Sequence, residues 1–282
     1  MLKNKKIIIT GGLGFLGFSI FNELNQTNKL LIIDNLSSNT RSKKDINKHI
    51  NSKFINIDIN SKTISKIFED FKPDIVIHCA AQTSVINSIK NPSKTKRINI
   101  EGTKNILNGI KKLKKCFFVF ISSGGAIYGN PIYLPVDEEH QIKPVSTYGI
   151  SKNEGEILTK KILDYNKIDY SIIRPSNIYG PNQKSDNVIP KFIDLMKKNE
   201  EINIFGNGSS SRDYIFIDDL VNIINIISEK RIKCIVNASS NKEVSIIEIF
   251  KILSKHLKYN KSPNFLDFRE GEINKIYLNN TK

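Results

Sequence analysis

Long hydrophobic runs are absent from this chain of 282 residues. No segment reaches the roughly 18 consecutive apolar residues that a membrane-spanning helix needs, so we expect no membrane partner. The segment MLKNKKIIIT has a basic start but only a short apolar run. It predicts a first strand and not a signal peptide.

Cysteine is also scarce, with three residues in the whole chain. Cys79, Cys116 and Cys234 lie far apart, and none stands in a CxxC spacing. An odd number of isolated cysteines argues against a disulfide framework and against a zinc or redox motif. We therefore expect buried thiols in a reducing compartment, a cytoplasmic protein and no metal site.

Acidic residues are outnumbered, since 28 Asp and Glu stand against 43 Lys and Arg and give a formal net charge of +15. The lysines are spread along the whole chain. This distribution is more typical of a solvated surface than of a nucleic-acid interface, and attraction of a small anionic substrate needs far fewer charges. We expect no nucleic-acid partner.

Short apolar runs alternate with longer amphipathic segments. The predicted strands are residues 6–10, 30–33, 54–57, 75–78, 117–121 and 170–173. The helical patterns between most of them are FLGFSIFNEL, ISKIFEDF, INIEGTKNILNGIKKL and YGISKNEGEILTKKILDY. This alternation predicts right-handed βαβ units and an α/β fold with a doubly wound parallel sheet.

The composition changes after Arg174 to loops rich in Pro, Asn, Gly and Ser, as in RPSNIYGPNQ and FGNGSSSRD. We predict a doubly wound domain over residues 1–174 and a smaller, interleaved substrate-binding region over most of residues 175–282. One buried strand, near 234–238, is expected to return from this region to the main sheet.

The first predicted strand runs into TGGLGFLG, which supplies Gly11, Gly14 and Gly17 at a strand-to-helix turn. Glycines there let the backbone approach a pyrophosphate, whose charge faces the N–H groups of the helix N-terminus. The second strand ends in Asp34, whose carboxylate can accept the ribose hydroxyls of NAD and would repel the extra phosphate of NADP. The pattern predicts an NAD-binding Rossmann domain.

Other strand ends add to the predicted cofactor site. Asp58 and Ile59 follow the third strand, where an adenine ring could lie. His78 is interpreted as a packed core histidine, although it precedes small residues that let a dinucleotide lie close. The predicted cofactor-binding residues are Gly11, Gly14, Phe15, Leu16, Gly17, Asp34, Asn35, Asp58, Ile59, Ala80, Ala81, Ser122, Tyr148 and Lys152, and Asn99 is added by the resemblance described below.

The motif YGISK places Tyr148 and Lys152 four residues apart, hence on one face of a helix. A lysine ammonium, helped by a positively charged nicotinamide ring, stabilises a phenolate, so Tyr148 is predicted to act as a general base with a lowered pKa. The preceding strand ends in ISSGGAIYG, which offers the hydroxyls of Ser122 and Ser123.

These motifs together resemble the extended short-chain dehydrogenase/reductase family, specifically its NAD-dependent sugar-nucleotide epimerases and dehydratases. The resemblance covers almost the whole chain, through TGGLGFLG, IIDNLSS, HCAAQTSV, NPSKTKRINIEGTKNIL, ISSGGAIYG, STYGISK, RPSNIYGPNQ and GNGSSSRDYIFIDD. It implies that Tyr148 is the base, that Lys152 is its partner and that NAD takes and returns a hydride. It also implies a homodimer formed through the helices after Asn91 and after Tyr148. The residues that it implies for binding the sugar nucleotide are Asn177, Asn187, Val188, Arg212 and Arg269.

The residues from Ser123 to Ala126 bear on which activity of this family the protein has. The resemblance often places the catalytic Ser or Thr at position 124, which here is glycine, so Ser123 is predicted to take its role. Dehydratases of the family carry an Asp-Glu pair directly after that hydroxyl, whereas this chain has Gly124, Gly125 and Ala126. The missing acids favour epimerisation over elimination of water.

The predicted function is that of a UDP-sugar 4-epimerase. The alternatives are another reductase, dehydrogenase or dehydratase of nucleotide sugars, or a non-catalytic module that binds sugar nucleotides or RNA.

Overall fold

The main sheet of the protein consists of parallel strands. The computed structural model describes residues 2–37, 42–268 and 273–282. The strands of the main sheet are Lys6–Thr10 (β1), Lys29–Asp34 (β2), Ser52–Asn56 (β3), Ile75–His78 (β4), Phe117–Ile121 (β5), Tyr170–Pro175 (β6) and Ile235–Ala238 (β11). They pair in the order β3-β2-β1-β4-β5-β6-β11. This is the strand order of doubly wound dinucleotide-binding folds, so the predicted fold class is confirmed.

Helices connect these strands. They are Phe15–Leu24 (α1), Lys43–Asn47 (α2), Ile64–Phe71 (α3), Val85–Lys90 (α4), Pro92–Lys96 (α5), Thr103–Ile110 (α6), Gly124–Ile127 (α7), Thr147–Tyr165 (α8), Val188–Lys197 (α9), Ile217–Lys230 (α10) and Ile246–Leu257 (α11). In the described part of the chain, none of them combines the length and the apolar character needed to cross a membrane.

Side chains of the sheet fill a hydrophobic core on each face, because successive residues of a strand point to opposite sides. In β1, Ile7 and Ile9 pack with α1 and α10 on one face, and Ile8 packs with α3 and α6 on the other. The chain beyond residue 175 therefore contributes to the main core, through α10 and through β11 at the edge of the sheet.

Short strands build the remainder of the fold. They are Asn177–Tyr179 (β7), Asn203–Phe205 (β8), Ser211–Arg212 (β9), Tyr214–Phe216 (β10), Val244–Ser245 (β12), Asn264–Leu266 (β13) and Lys275–Ile276 (β14). Leu278 is 1% exposed, packs with Ile127 and Tyr128 and forms an isolated parallel bridge with Val136.

Several elements differ from the sequence-based prediction. β2 is one residue longer at each end than the predicted strand 30–33, and β6 extends two residues beyond the predicted strand 170–173. The third strand covers Ser52–Asn56 and not residues 54–57. The pattern INIEGTKNILNGIKKL is not one regular α-helix, because Arg97–Gly102 is π-helical and α6 ends at Ile110. A π-helical turn adds a residue without changing the apolar pattern strongly, so periodicity does not reveal it.

Gly155 sets how closely α8 approaches the sheet, and this generates a prediction. A Cβ atom at Gly155 would lie 2.4 Å from Cζ of Phe120 on β5. Gly155→Ala improves helix propensity, yet we expect it to lower the free energy of unfolding by about 1–3 kcal/mol through overpacking. Urea denaturation measures the change.

The control is Gly109→Ala on α6, whose Cβ would lie 3.4 Å from the Phe68 ring, an ordinary contact. This variant is expected to be neutral or slightly stabilised. Equal effects of the two substitutions would contradict the packing explanation.

Candidate active site

Helix α8 contacts the end of β5 through side chains on three successive turns. Tyr148, Lys152 and Glu156 lie four residues apart and are all buried. Their partners are, respectively, the side chain of Ser123, the carbonyl of Ile121 and the side chain of Ser122. One helix face thus holds three consecutive residues at the carboxyl edge of the sheet, the edge at which ligands bind in such folds.

The phenol of Tyr148 and the hydroxyl of Ser123 are brought together. Burial raises the pKa of Tyr148, and a hydrogen bond with Ser123 lowers it. The alternative position 124 faces elsewhere, because a Cβ atom on Gly124 would lie 2.4 Å from Cδ1 of Leu278. The hydroxyl that contacts Tyr148 therefore belongs to Ser123.

Lys152 lies one turn further along α8 and donates a hydrogen bond from Nζ to the carbonyl of Ile121, at 2.8 Å. Burial lowers the pKa of Lys152 to about 8, against the opposing effects of Cys79 and Glu156. The expected lowering of the Tyr148 pKa is not found in the protein alone, where burial outweighs the hydrogen bond and the pKa is raised.

His78 is a packed and hydrogen-bonded core residue, as the sequence predicted. Its ring contacts the hydroxyls of Thr10, at 2.6 Å, and Thr103, at 3.0 Å. Burial lowers its pKa to about 3, with a smaller effect from Lys152, so the ring is neutral. No group of three or more His, Cys, Asp or Glu side chains in the described ranges is arranged to hold a metal ion.

The glycine-rich turn has the geometry of a dinucleotide cradle. Gly11 has a φ of +67°, and a Cβ atom there would lie 2.7 Å from the backbone of Ala80. Helix α1 begins at Phe15 after Gly14, and no side chain caps its N-terminus. The first N–H groups of α1, including those of Phe15 and Leu16, are thus suited to a phosphate. Gly17 has a different role, since a Cβ there would lie 2.3 Å from the Gly11 carbonyl.

Two acids lie at the neighbouring strand ends. Asp34 accepts hydrogen bonds from the backbone N–H groups of Leu13, at 3.0 Å, and Leu36, at 2.8 Å, which fix its carboxylate at the end of β2. Asp58 accepts a hydrogen bond from Asn35 at 3.0 Å. Burial raises the pKa of Asp58, but hydrogen bonds from Asn60 and Asn35 reverse the shift and lower it overall. These groups fit the ribose and adenine end of NAD.

Other predicted cofactor residues have partners within the protein. Asn99 contacts the backbone of Gln82 and the hydroxyl of Ser151. Ile59 is 6% exposed and packs in the main core. The hydroxyl of Ser122 donates to Glu156 at 2.5 Å. Ala80 and Ala81 are half-buried after β4.

The predicted substrate residues lie on the chain after β6. Asn177 donates its backbone N–H to the carbonyl of Asp213, the residue that follows Arg212 in the chain. The Arg212 guanidinium donates to the carbonyls of Ser211 and Asn274. Asn187 is the N-cap of α9, and Val188 packs with α11. Arg269 lies outside the described residues.

Sequence reasoning missed a buried charged pair behind the site. Arg174 is 2% exposed and Glu156 is 1% exposed. The guanidinium binds the carboxylate through two contacts, Nε to Oε1 at 3.0 Å and a terminal nitrogen to Oε2 at 2.7 Å. The available signal was the position of Glu156, four residues after Lys152 on the same helix face.

The position of Asp34 predicts the cofactor preference. A 2′-phosphate on the adenosine ribose would face this fixed carboxylate, so we expect NAD to bind about tenfold or more tightly than NADP, through like-charge repulsion. Calorimetric titration of both cofactors measures the ratio, and Asp34→Asn should reduce it. Equal or tighter binding of NADP to the wild-type protein would contradict the prediction.

Known proteins are similar to this chain in sequence and in fold. A "Putative UDP-glucose 4-epimerase" of Methanocaldococcus jannaschii is 40% identical over 276 residues, which cover 96% of this chain and 89% of that protein. The crystal structure of a UDP-glucose 4-epimerase of Thermotoga maritima with UDP-glucose is similar, with a TM-score of 0.92, 31% identity and coverage of 98% of this chain and 90% of that one.

A dehydratase is similar as well. A dTDP-D-glucose 4,6-dehydratase of Dictyostelium discoideum is 34% identical over 265 residues, which cover 88% of this chain and 61% of that protein. The family model described as "NAD dependent epimerase/dehydratase family" matches residues 7–238. The chain therefore belongs to the NAD-dependent epimerase/dehydratase family.

Proposed function

We propose that the protein is an NAD-dependent UDP-sugar 4-epimerase. The observation that carries this proposal is the contact between Ser123 and Tyr148, beside Lys152, at a strand end that lacks acids. Bound NAD would accept a hydride from the sugar and later return it to the opposite face. Both half-reactions then need one group that removes and returns the proton of the reacting hydroxyl.

Tyr148 is the group that we assign to this proton transfer, and Ser123 orients the same hydroxyl. The raised pKa of Tyr148 in the protein alone means that the phenolate needs further positive charge nearby. The positively charged nicotinamide ring of bound NAD would supply that charge, and Lys152, fixed by the carbonyl of Ile121, would hold the nicotinamide ribose.

The residues after Ser123 distinguish epimerisation from dehydration. A Cβ atom on Gly125 would lie 3.1 Å from Oδ1 of Asn177, the residue that we assign to the sugar nucleotide. A side chain at position 125 would therefore face the substrate, and a carboxylate there could serve elimination of water. Gly125 and Ala126 supply no such acid or base, whose contribution is typically a hundredfold or more.

We further assign the cofactor to the glycine turn with Asp34 and Asp58, and the sugar nucleotide to Asn177, Arg212 and the start of α9. The corresponding division places cofactor binding in residues 1–174 and most of substrate binding in residues 175–282. We place the enzyme in the cytoplasm.

Product analysis tests the reaction type. UDP-, dTDP- and GDP-sugars are incubated with the protein and NAD, products are identified by NMR, and absorbance at 340 nm is followed. We expect a 4-epimer of a UDP-sugar without net formation of NADH. Stoichiometric NADH would indicate a dehydrogenase, a 4-keto-6-deoxy product a dehydratase, and binding without conversion a non-catalytic module.

The proton-transfer role of Tyr148 predicts the behaviour of Tyr148→Phe. We expect turnover to fall about a hundredfold or more, because the general base is lost. Affinities for NAD and the sugar nucleotide should change little, since the phenol acts mainly in the transition state. Steady-state kinetics and calorimetry measure both quantities. Unchanged turnover would mean that another base carries the reaction.

Ser123→Ala removes the hydroxyl that contacts Tyr148. We expect turnover to fall roughly ten- to a thousandfold, the range for losing one positioned hydrogen-bonding partner. Thr83→Ala, which removes a hydroxyl on the segment after β4, should have a smaller effect. If Ser123→Ala retains wild-type turnover, the hydroxyl donor lies elsewhere.

We also propose a homodimer, with a revised interface. The apolar residues Ile106, Leu107 and Ile110 of the segment after Asn91 are buried in the protein's own core. Exposed isoleucines instead occupy two neighbouring helices. They are Ile86 and Ile89 on α4 and Ile150 and Ile157 on α8, each between 44% and 66% exposed.

This surface predicts the effect of added charge. Ile89→Lys and Ile157→Lys should shift the protein from dimer to monomer, because a buried unpaired charge destabilises an apolar interface. Light scattering at micromolar concentration gives the mass, and Ile252→Lys on α11, where Ile252 is 53% exposed, is the control. A monomeric wild-type protein would contradict the proposal.

A further inference from the structure

Glu156 joins helix α8 to two neighbouring strands of the sheet. Its Oε1 accepts hydrogen bonds from Ser122, at 2.5 Å, and from Nε of Arg174, at 3.0 Å, and its Oε2 accepts from a terminal nitrogen of Arg174 at 2.7 Å. Ser122 follows the last residue of β5, and Arg174 lies on β6. One carboxylate thus fixes three elements relative to one another.

The surroundings of the pair leave little freedom for a second arrangement. Arg174 also donates to the hydroxyl of Tyr128 at 2.9 Å, and Tyr128 donates to Asn237 on β11 at 2.8 Å. The side chains of Ser122, Arg174, Glu156, Tyr128 and Asn237 are all buried. Buried charge-assisted hydrogen bonds are short and directional, so this network defines one geometry.

Stability alone is a weak reason for such a network. Replacing a buried ion pair by apolar side chains of similar volume is often neutral or stabilising, because desolvation offsets the attraction. Unlike apolar packing, the network fixes the position of Ser122, because the Ser122 hydroxyl donates a hydrogen bond to Glu156. The next residue along the chain is Ser123, which contacts Tyr148.

We propose that Glu156 and Ser122 are positioning residues, which hold the Ser123 hydroxyl in line with Tyr148. Arg174 anchors the carboxylate, and Ser122 transmits its position to the neighbouring residue. Neither Glu156 nor Ser122 takes part in proton transfer. The expected effect on kcat rests on the proposed epimerase function. The expected effect on the contact between Ser123 and Tyr148 does not.

Ser122→Ala is the informative variant, because Glu156 keeps both contacts with Arg174 and no charge is left unpaired. Glu156→Gln would leave the buried Arg174 without a counterion and could prevent folding. The matched control is Ser171→Ala. Ser171 is buried like Ser122 and donates its hydroxyl to the carbonyl of Ile232. It lies near the start of β6, whereas Arg174 lies near the end of that strand.

Two readouts separate positioning from mere stabilisation. In Ser122→Ala, kcat should fall roughly three- to thirtyfold with KM unchanged, below the hundredfold that a displacement of about 1 Å can cost. The ¹³Cζ resonance of Tyr148, assigned by its loss in Tyr148→Phe, should move toward its position in Ser123→Ala, where the hydrogen bond is broken. Ser171→Ala should show wild-type kcat and a wild-type resonance.

Wild-type kcat and a wild-type resonance in Ser122→Ala would overturn the proposal, even if the Tm falls. An equal loss of kcat in Ser171→Ala would overturn it too. If the wild-type protein converts no UDP-sugar, the proposed function fails, and the Tyr148 resonance in Ser122→Ala alone then decides the positioning role.

Discussion

The docking of helix α8 against the end of β5 is the constraint on which the site depends. Tyr148, Lys152 and Glu156 each contact one of three consecutive residues, which are the last residue of β5 and the two serines that follow it. A helix and a strand can meet in this way only if they approach closely, and Gly155 permits it by leaving room for the Phe120 ring. The four-residue spacing on α8 places the three side chains on one face of the helix. The close packing at Gly155 then brings that face to the end of β5.

The same arrangement explains how one fold suits a reversible oxidation. The site holds a buried phenol, a buried ammonium and a neutral histidine, and its acids serve elsewhere. Asp34 ends β2 and Asp58 follows β3, where we propose that the cofactor binds, and Glu156 is paired with Arg174. The three residues after Ser123, which are Gly124, Gly125 and Ala126, offer no carboxylate for elimination, which is why we favour epimerisation although dehydratases are similar in sequence.

Features set by local chemistry were predictable from the sequence. The glycine turn, Asp34 and the pair Tyr148 and Lys152 each depend on short spacings, and the buried strands 6–10, 75–78 and 117–121 agree with the structure. Features that join distant residues were not predictable. Arg174 meets Glu156 across 18 positions, and Leu278 covers Gly124 from the end of the chain. The raised pKa of Tyr148 also escaped prediction, because it depends on burial and not on the neighbouring lysine.

Transfer of hydrogen at the sugar carbon tests the central claim most directly. A UDP-sugar deuterated at C4 is incubated with the protein and NAD in ordinary water, and both epimers are examined by NMR. If oxidation and reduction occur at the same carbon through a retained cofactor, deuterium stays at C4 in the product with the inverted configuration. Loss of the label from C4 of the epimer to solvent, or its appearance at C6 of a deoxy sugar, would contradict the account.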